Sequence, residues 1–512
     1  MSSTVVTTGS TIERAPGGKR PWRIALVVTI LGGALALRLG DFTEPWTQQG
    51  WQHMGATFAI MARNYVEQGY LTTRLAPATN PEPPPDGRWD LFLHHPPFFP
   101  LALSLSFLVF GVHEWSARLV PILASLIELI AILAITRTLF GEREGLVAAA
   151  LAAIVPATAF YGSHVCELGP VVMAFASSAF ALHLRYLAQP SRPVFVGLLA
   201  CVAGAATNDW PGVYMAGAIV LHLLWMRRRR EAITIVALVA ALLLLHLAHV
   251  AWATGDLFQG GRGGGLKHAF EQRTWLGIER AGKTVSFALN AIGGHLVSLY
   301  TWPVVILAGL GLVQVRRSAS PSAVAALVLA GLAHTLIFGE GATRHDFWNI
   351  TMAPFLLMLA GAGMVKLTHA LRPPSARVVT CAVLTLAAAL PAAYRTHQLF
   401  EYIESDYFYT LGRVINQHTQ PGDQPIATTE FQADPMAYYA RRRISPQITD
   451  ALVSYFKGTY APGIFVVAEK KFQAHEHEKV FELLSRAATP TVVPTESCGK
   501  VYIFDLLRRP SR

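Results

Sequence analysis

The sequence predicts an all-α polytopic membrane bundle of about eleven spans, followed by a small C-terminal α/β domain. Three observations predict it. The 512-residue chain is 52% hydrophobic and only 14% charged, with a mean hydropathy of +0.38, whereas soluble domains average about 25% charged residues. The apolar residues come in blocks, such as Ala232 to Val250 and Val304 to Val313, and such blocks suit a hydrocarbon core that takes roughly 20 apolar residues to cross. The arginines, finally, gather in short loops between the blocks.

Taken in order, residues 1–22 are a Ser/Thr/Pro/Gly-rich basic tail, expected to be disordered and cytoplasmic. The block Ile24 to Leu37 has no small-residue cleavage site behind it and reads as a retained anchor. It opens a membrane domain over 23–394, and a polar external loop, 41–95, follows it. Further blocks cover roughly 98–110, 119–136, 146–160, 168–187, 194–206, 211–226, 232–253, 296–314, 322–338, 350–365 and 378–393. Short basic loops at Arg137/Arg143, Arg185/Arg192, Arg227 to Arg230, Arg316/Arg317 and Arg372/Arg377 pin the inside. These pins require an odd number of crossings and an external C-terminus; twelve crossings would put several arginine loops on the wrong side. The block assigned as not crossing is 98–110, which follows His94-His95-Pro96-Pro97, carries Pro100 and is short for a span. From about Tyr394 the character changes. Charged helical segments and alternating apolar runs at Gly463–Ala468 and Lys500–Phe504 predict an external α/β domain over 395–512.

A net charge of +10 and a pI near 9.5 could suggest nucleic acid. The placement of the arginines in membrane loops argues against that partner. The four cysteines show no zinc spacing and no disulfide framework.

The chemistry-bearing residues fall in the external loops. Loop 41–95 holds Asp41, Glu44, Trp46, Trp51 and His53, then His94 and His95. Between them, Ala56 to Gln68 places Phe58, Met61 and Tyr65 at helical spacing, which predicts an amphipathic helix along the membrane interface. Such a helix can cover the bundle or gate a substrate.

A set of residues here resembles a family: Gly50-Trp51, Met61-Ala62-Arg63-Asn64-Tyr65, Gly69-Tyr70, His95-Pro96-Pro97, and Phe110-Gly-Val-His-Glu-Trp-Ser-Ala-Arg-Leu119. In this order they are similar to the front of polyprenyl-phosphate-sugar glycosyltransferases of the glycosyltransferase family 39 type. Those are relatives of the protein O-mannosyltransferases and of the lipid A aminoarabinose transferase. The resemblance implies a GT-C fold, in which external loops and interfacial helices enclose a cavity where a lipid-phosphate sugar meets its acceptor. Family members often carry an acidic pair just before the interfacial helix, one acid acting as the base. Here that stretch reads Gln49-Gly-Trp-Gln-His-Met-Gly55, without an acid.

Inverting transfer needs a carboxylate to take the acceptor proton and donors to hold the departing phosphate. The candidate bases are Asp41 and Glu44, just past the first crossing, and Glu167 in Tyr161-Gly-Ser-His-Val-Cys-Glu167. Candidate substrate-binding residues are Trp51, His53, His94 and His95, Asp209 in Asn208-Asp-Trp-Pro211, and Arg344, His345 and Asp346, the Arg-His pair offering phosphate donors. The alternatives are ordinary interfacial acids, a simple turn at Asn208 and an aromatic-anchored belt at Arg344 to Trp348. Loop 254–290 carries Gly260-Gly-Arg-Gly-Gly-Gly-Leu-Lys267 with Arg273, Arg280 and Lys283. It lacks P-loop spacing and invites an anionic partner. Among the histidines within spans, His246 and His249 sit on one helix face, so a divalent metal stays open.

The function expected is transfer of a hexosyl or pentosyl unit from a polyprenyl-phosphate donor to a lipid, glycan or protein acceptor. It would take place on the external face of an inner or plasma membrane. The alternative is a transporter or lipid flippase, which calls for paired halves with broken helices at the midplane; no such symmetry is evident.

Overall fold

The computed structural model describes residues 21–47, 52–166, 169–257, 266–369, 371, 373–401, 406–422, 426–428, 433–445, 448, 463–471 and 475–506. Its helices are α1 Pro21–Arg38, α2 Gln52–Gln68, α3 Phe98–Phe110, α4 Glu114–Leu139, α5 Glu142–Ile154, α6 Pro170–Ala188, α7 Arg192–Ala206, α8 Trp210–Trp225, α9 Arg229–Thr254, α10 Leu266–Arg273, α11 Trp275–Arg280, α12 Val285–Leu312, α13 Pro321–Ile337, α14 Gly339–Arg344, α15 Ala353–Thr368 and α16 Pro374–Glu401. Beyond these lie α17 Asp406–His418, α18 Asp434–Ala440 and α19 His475–Ala487. Among the described residues seven helical segments are long and apolar enough to cross a membrane and four more are apolar but shorter, and each apolar block read from the sequence overlaps one of these or α5. In hydrocarbon only a helix or a closed barrel satisfies its own backbone, so blocks of this length have little other choice.

The bundle is held by close backbone approach. A Cβ at Gly311 of α12 would meet the Leu359 carbonyl of α15 at 2.0 Å, and one at Gly363 of α15 would meet the Leu307 carbonyl at 2.0 Å. Small residues at such crossings let apolar helices associate where lipid supplies no hydrophobic drive. Helix starts follow local chemistry: Asp209, Thr284 and Ser320 each accept a backbone N–H in the first turn of α8, α12 and α13. Helix α12 loses helical geometry at Thr301 (φ 65°), two residues before Pro303.

Helix α3 does not traverse the bundle. It begins just after His95, whose ring bonds Asp209 at the α7–α8 turn. It ends just before Glu114, whose carboxylate accepts the hydroxyl of Tyr439 from α18. Both its ends therefore lie at one end of the bundle, here called the loop end. The remaining long-axis helices (α1, α4–α9, α12, α13, α15 and α16) alternate in direction. The basic loops at Arg137/Arg143, Arg185/Arg192, Arg227 to Arg230 and Arg316/Arg317, with Arg377 in the first turns of α16, then fall at the opposite, arginine end.

The helix expected over 56–68 is present as α2, but it is covered on more than one side rather than amphipathic with a free face. Helix α2 buries Gln52, Gly55, Ala56 and everything from Phe58 to Tyr65, because α18 covers one side of it and α3 another. Arg63 donates to the Tyr438 carbonyl at 2.8 Å, and Arg441 pairs with Glu67 at 2.9 Å. The segment read as loop 254–290 is likewise partly helical, forming α10, α11 and the first turn of α12.

Helix α16 continues to Glu401, past Tyr394. After it comes a sheet of five strands, β1 Ile426–Thr428, β2 Ile444–Ser445, β3 Ile464–Ala468, β4 Thr491–Thr495 and β5 Gly499–Asp505, in the order β2-β1-β3-β5-β4. The two apolar runs seen in the sequence are β3 and β5, paired antiparallel with Val466 opposite Ile503. Strand β1 runs parallel to β2 and β3. This unit docks on the loop end through Tyr439 and through Glu82, which accepts the Gly422 and Arg443 N–H groups.

Candidate active site

The last turn of α1 sets the first part of the site. Arg38 is fully buried and donates to Ser125 Oγ at 2.7 Å and to the carbonyls of Ala34, Ala153 and Thr158. It ties α1, α4 and the end of α5 together, and so fixes the chain leading to Asp41. Asp41 is 2% exposed. Its Oδ2 accepts from Gln52 Nε2 at 3.0 Å and lies 3.8 Å from Arg118 Nε. Arg118, from α4, also donates to Gln52 Oε1 and to the carbonyls of Phe42 and Glu44, and its guanidinium lies 4.3 Å from the centre of the Trp46 ring. A buried carboxylate is tolerable only when paired in this way. Among the described residues Asp41 Oδ1 has no hydrogen-bond partner, which leaves one oxygen able to accept a proton. Glu44 is half-buried and enters the cluster through its backbone only.

The second part joins three distant segments. His95 Nδ1 lies 2.9 Å from Asp209 Oδ1, and Arg273 Nη1 lies 3.3 Å from His95 Nε2. Arginine has only donors, so Nε2 accepts and the ring proton sits on Nδ1, facing Asp209. Asp209 also accepts the Trp210 N–H at 2.6 Å as the cap of α8. Burial alone would raise its pKa, but His95, His334 and the Trp210 N–H outweigh it and hold the carboxyl below the usual range. Next to this chain, Asp209 Oδ2, the Asn208 amide and both ring nitrogens of His334 have no partner among the described residues. Each such buried group costs about 1–3 kcal/mol unless water or a ligand satisfies it.

Two cavities lie near His95, one lined by its partner Arg273 and the other by the adjoining Pro96 and Pro97. One, of about 550 Å³, is lined by Gln272, Arg273, Arg280, Glu340, Arg344 and His345 among others. Arg280 is paired with Glu271 at 3.0 Å and Arg344 with Glu340 at 2.6 Å, the Arg344 side chain being 61% exposed. Arg273 has no carboxylate partner in any ion pair among the described residues; its guanidinium lies over Trp348 at 5.5 Å. Burial, then Arg344 and Arg273, push the His345 ring down to about 4. It is therefore neutral at pH 7 and offers an N–H rather than a charge. The other cavity, about 520 Å³, is apolar and is lined by Pro96, Pro97, Phe98, Leu101, Leu245 and Trp252 with His246 and His249.

The sequence-predicted residues divide accordingly. The structure gathers Asp41, Glu44, His53, His94, His95, Asp209, Arg344, His345 and Asp346 at the loop end. His53 follows Gln52 on α2 and lies close enough to His345 to influence its titration. His94 packs against Phe92 with ring centres 4.7 Å apart. Asp346 accepts the Tyr161 hydroxyl at 2.7 Å and the Phe347 N–H at 2.8 Å, so its contacts hold two loops together. Trp51, Glu167 and the glycine run 260–265 lie outside the described residues. His249 is turned to the Arg74 carbonyl at 2.8 Å. Among the described residues no group of three or more His, Cys, Asp and Glu is gathered as for a metal ion. Sequence reasoning missed the roles of Gln52, Arg118 and Arg273. Arg118 stood in the family-like run as a signature residue, and Arg273 counted only as one loop charge among several.

The sequence profile described as dolichyl-phosphate-mannose-protein mannosyltransferase matches residues 94–252. No curated protein matches the chain by sequence. The fold resembles that of ArnT from Cupriavidus metallidurans bound to undecaprenyl phosphate, with a TM-score of 0.65 at 14% identity, over 95% of this chain and 98% of that one. Archaeal oligosaccharyltransferase AglB from Archaeoglobus fulgidus, in complex with an inhibitory peptide and a dolichol-phosphate, aligns with a TM-score of 0.58 at 12% identity. That alignment covers 96% of this chain and 75% of AglB. The fold implied by the resemblance read from the sequence is thus borne out: it is the fold of ArnT and AglB.

Proposed function

We propose that this multi-pass membrane protein is a glycosyltransferase that moves a hexosyl or pentosyl unit from a polyprenyl-phosphate donor to an acceptor on the external face. One observation carries the reading: Arg273, in the wall of a cavity rich in guanidinium groups, hydrogen-bonds His95, and the next residues, Pro96 and Pro97, line an apolar cavity. A lipid-phosphate sugar has those two halves. Its phosphate suits Arg273, with His345 and Arg344 at the rim, and its isoprenoid chain suits the walls from Pro96 to Trp252. Donors aimed at a departing phosphate stabilise the charge that develops there. The sugar lies beside Asn208, Asp209 and His334, whose unpartnered polar atoms match hydroxyls. Asp41 is the first choice for the group that takes the acceptor proton, with Glu44 and Glu167 as parallel choices.

The likeness to ArnT and AglB supports a lipid-linked donor, since the matched structures hold undecaprenyl phosphate and dolichol-phosphate. The acceptor is a lipid, glycan or protein.

The test is transfer of sugar from a defined polyprenyl-phosphate donor by the purified protein in liposomes. Absence of transfer with every lipid-linked sugar tried would return the reading to a transporter or flippase. The side of the membrane is tested separately, by labelling an engineered surface cysteine within 395–512 on intact cells with an impermeant reagent. Labelling only after lysis would overturn the external placement.

A further inference from the structure

At the arginine end, far from the proposed active site, a crevice of about 400 Å³ opens between α1, α5, α15 and α16. Its walls are apolar. Small side chains, Ala150 on α5 and Ala382 and Ala389 on α16, leave the gap. Along α16 the lining runs from Arg377 to Ala389. At 1.5 Å per residue that is about 18 Å, close to half of a roughly 30 Å hydrocarbon core. Val378 and Leu386 are 55% and 62% exposed there, although apolar, so the groove opens sideways towards the hydrocarbon.

The mouth of the crevice is cationic. Arg143 and Arg377 line it, at the N-terminal turns of α5 and α16, where the helix dipoles add positive character. Among the described residues the Arg377 side chain gives only its Nε–H, to the Leu371 carbonyl at 2.6 Å. Neither arginine forms an ion pair among the described residues. Around them, Arg23 and Arg137 share the single carboxylate of Glu142 at 3.9 and 3.3 Å, while Glu144 is the other acid nearby. Among the described residues four arginines thus face two glutamates. Trp22, 51% exposed on the rim, is placed as an interfacial anchor.

We propose that this crevice is a binding site for an anionic phospholipid, its phosphate between Arg143 and Arg377 and one acyl chain along α16. The continuity of the charged mouth with a one-leaflet apolar groove distinguishes a lipid from free phosphate, which would leave the groove empty. The site is independent of the transfer reading. Each basic residue near an anionic headgroup contributes about 1 kcal/mol, or roughly fivefold in binding, so two give a preference of about 25-fold.

The experiment is native mass spectrometry of the full chain in detergent with dioleoyl-phosphatidylglycerol or dioleoyl-phosphatidylcholine. The expected result is retention of phosphatidylglycerol at roughly 25-fold lower concentration, unaffected by millimolar inorganic phosphate. The Arg143→Gln/Arg377→Gln double variant should bring the two lipids to within a few-fold. Should that variant fail to fold, Ala382→Leu, which fills the groove and leaves the charges, should lose the adduct. Equal retention of both lipids by the parent, or a phosphatidylglycerol preference that survives both variants, overturns the proposal.

Discussion

The two ends of the bundle use the same residue types in opposite ways. At the arginine end Arg137 is 62% exposed and meets Glu142 at 3.3 Å across a surface open to water. At the loop end Arg118 is 1% exposed and meets Asp41, Gln52, two carbonyls and an indole ring. Surface pairs of the first kind contribute about 0–1 kcal/mol. Buried charges of the second kind are costly unless each is paired and hydrogen-bonded. A fold that meets that cost twice at one end, at Asp41–Arg118 and at Asp209–His95–Arg273, has a use for the positions it fixes. The exposed arginines, by contrast, need only be basic.

The sharpest way to break this comparison is at Asp41. Asp41→Asn keeps size and most hydrogen bonding while removing proton acceptance, so turnover should fall by about 10²–10⁴-fold with protein level and donor binding preserved. Glu44→Gln and Glu167→Gln run in parallel. Near-full turnover in all three variants would take the base away from this group.

Next in size is the cavity proposed to hold the donor phosphate. Arg273→Ala should raise the apparent donor KM by an amount equivalent to about 1.5–3 kcal/mol, the worth of a charge-assisted contact. Arg344→Ala should raise it less, because that guanidinium is largely exposed and already held by Glu340. An unchanged donor dependence in both variants would empty the cavity of its assigned role.

Asp209→Ala tests whether the His95 chain also holds the fold. It removes the cap of α8 and the partner of His95 together, and thermal unfolding in detergent should show a loss of about 1.5–3 kcal/mol. A Tm within error of the parent would mean the chain positions nothing.

His345 gives a pH signature. Its folded pKa, about 4, lies below the ordinary 6.5, so between those values the unfolded chain takes up the proton first. Stability should therefore be full above pH 6.5 and fall as the pH drops towards 4. His345→Gln should flatten that part of a Tm-against-pH curve, and an identical slope would refute it. The smallest effect belongs to the arginine end: Arg137→Gln should change stability by no more than about 0.5 kcal/mol and leave turnover alone.

Much of this was legible in the sequence, and for an identifiable reason. The blocks from Ile24 to Leu37 onward and the loops at Arg227 to Arg230 and Arg316/Arg317 are local features, and a membrane solvates each span separately. Even the short block 98–110 could be set apart, from its length and its prolines. Helix α2 was legible as a helix but not its full burial, because its apolar residues said that one face is buried, whereas the cover on its other side comes from α18, some 375 residues along the chain from Arg63 to Tyr438. Strands β1, β2 and β4 passed unnoticed, β1 and β2 because they are short and β4 because Pro494 interrupts its pattern.

By itself, the sequence determined that the chain is an α-helical membrane bundle with its acids and histidines crowded at one end. Hydropathy, charge bias and residue type act over a few residues, and each can be read where it stands. Only the tertiary structure decided which of those residues work together. His95 meets Asp209 across 114 residues and Arg273 across 178, and Asp41 meets an arginine that the sequence offered merely as part of a family-like run. Such pairings are selected when burial makes an unpaired charge too costly to keep, and which charges become buried against which others depends on how the helices pack.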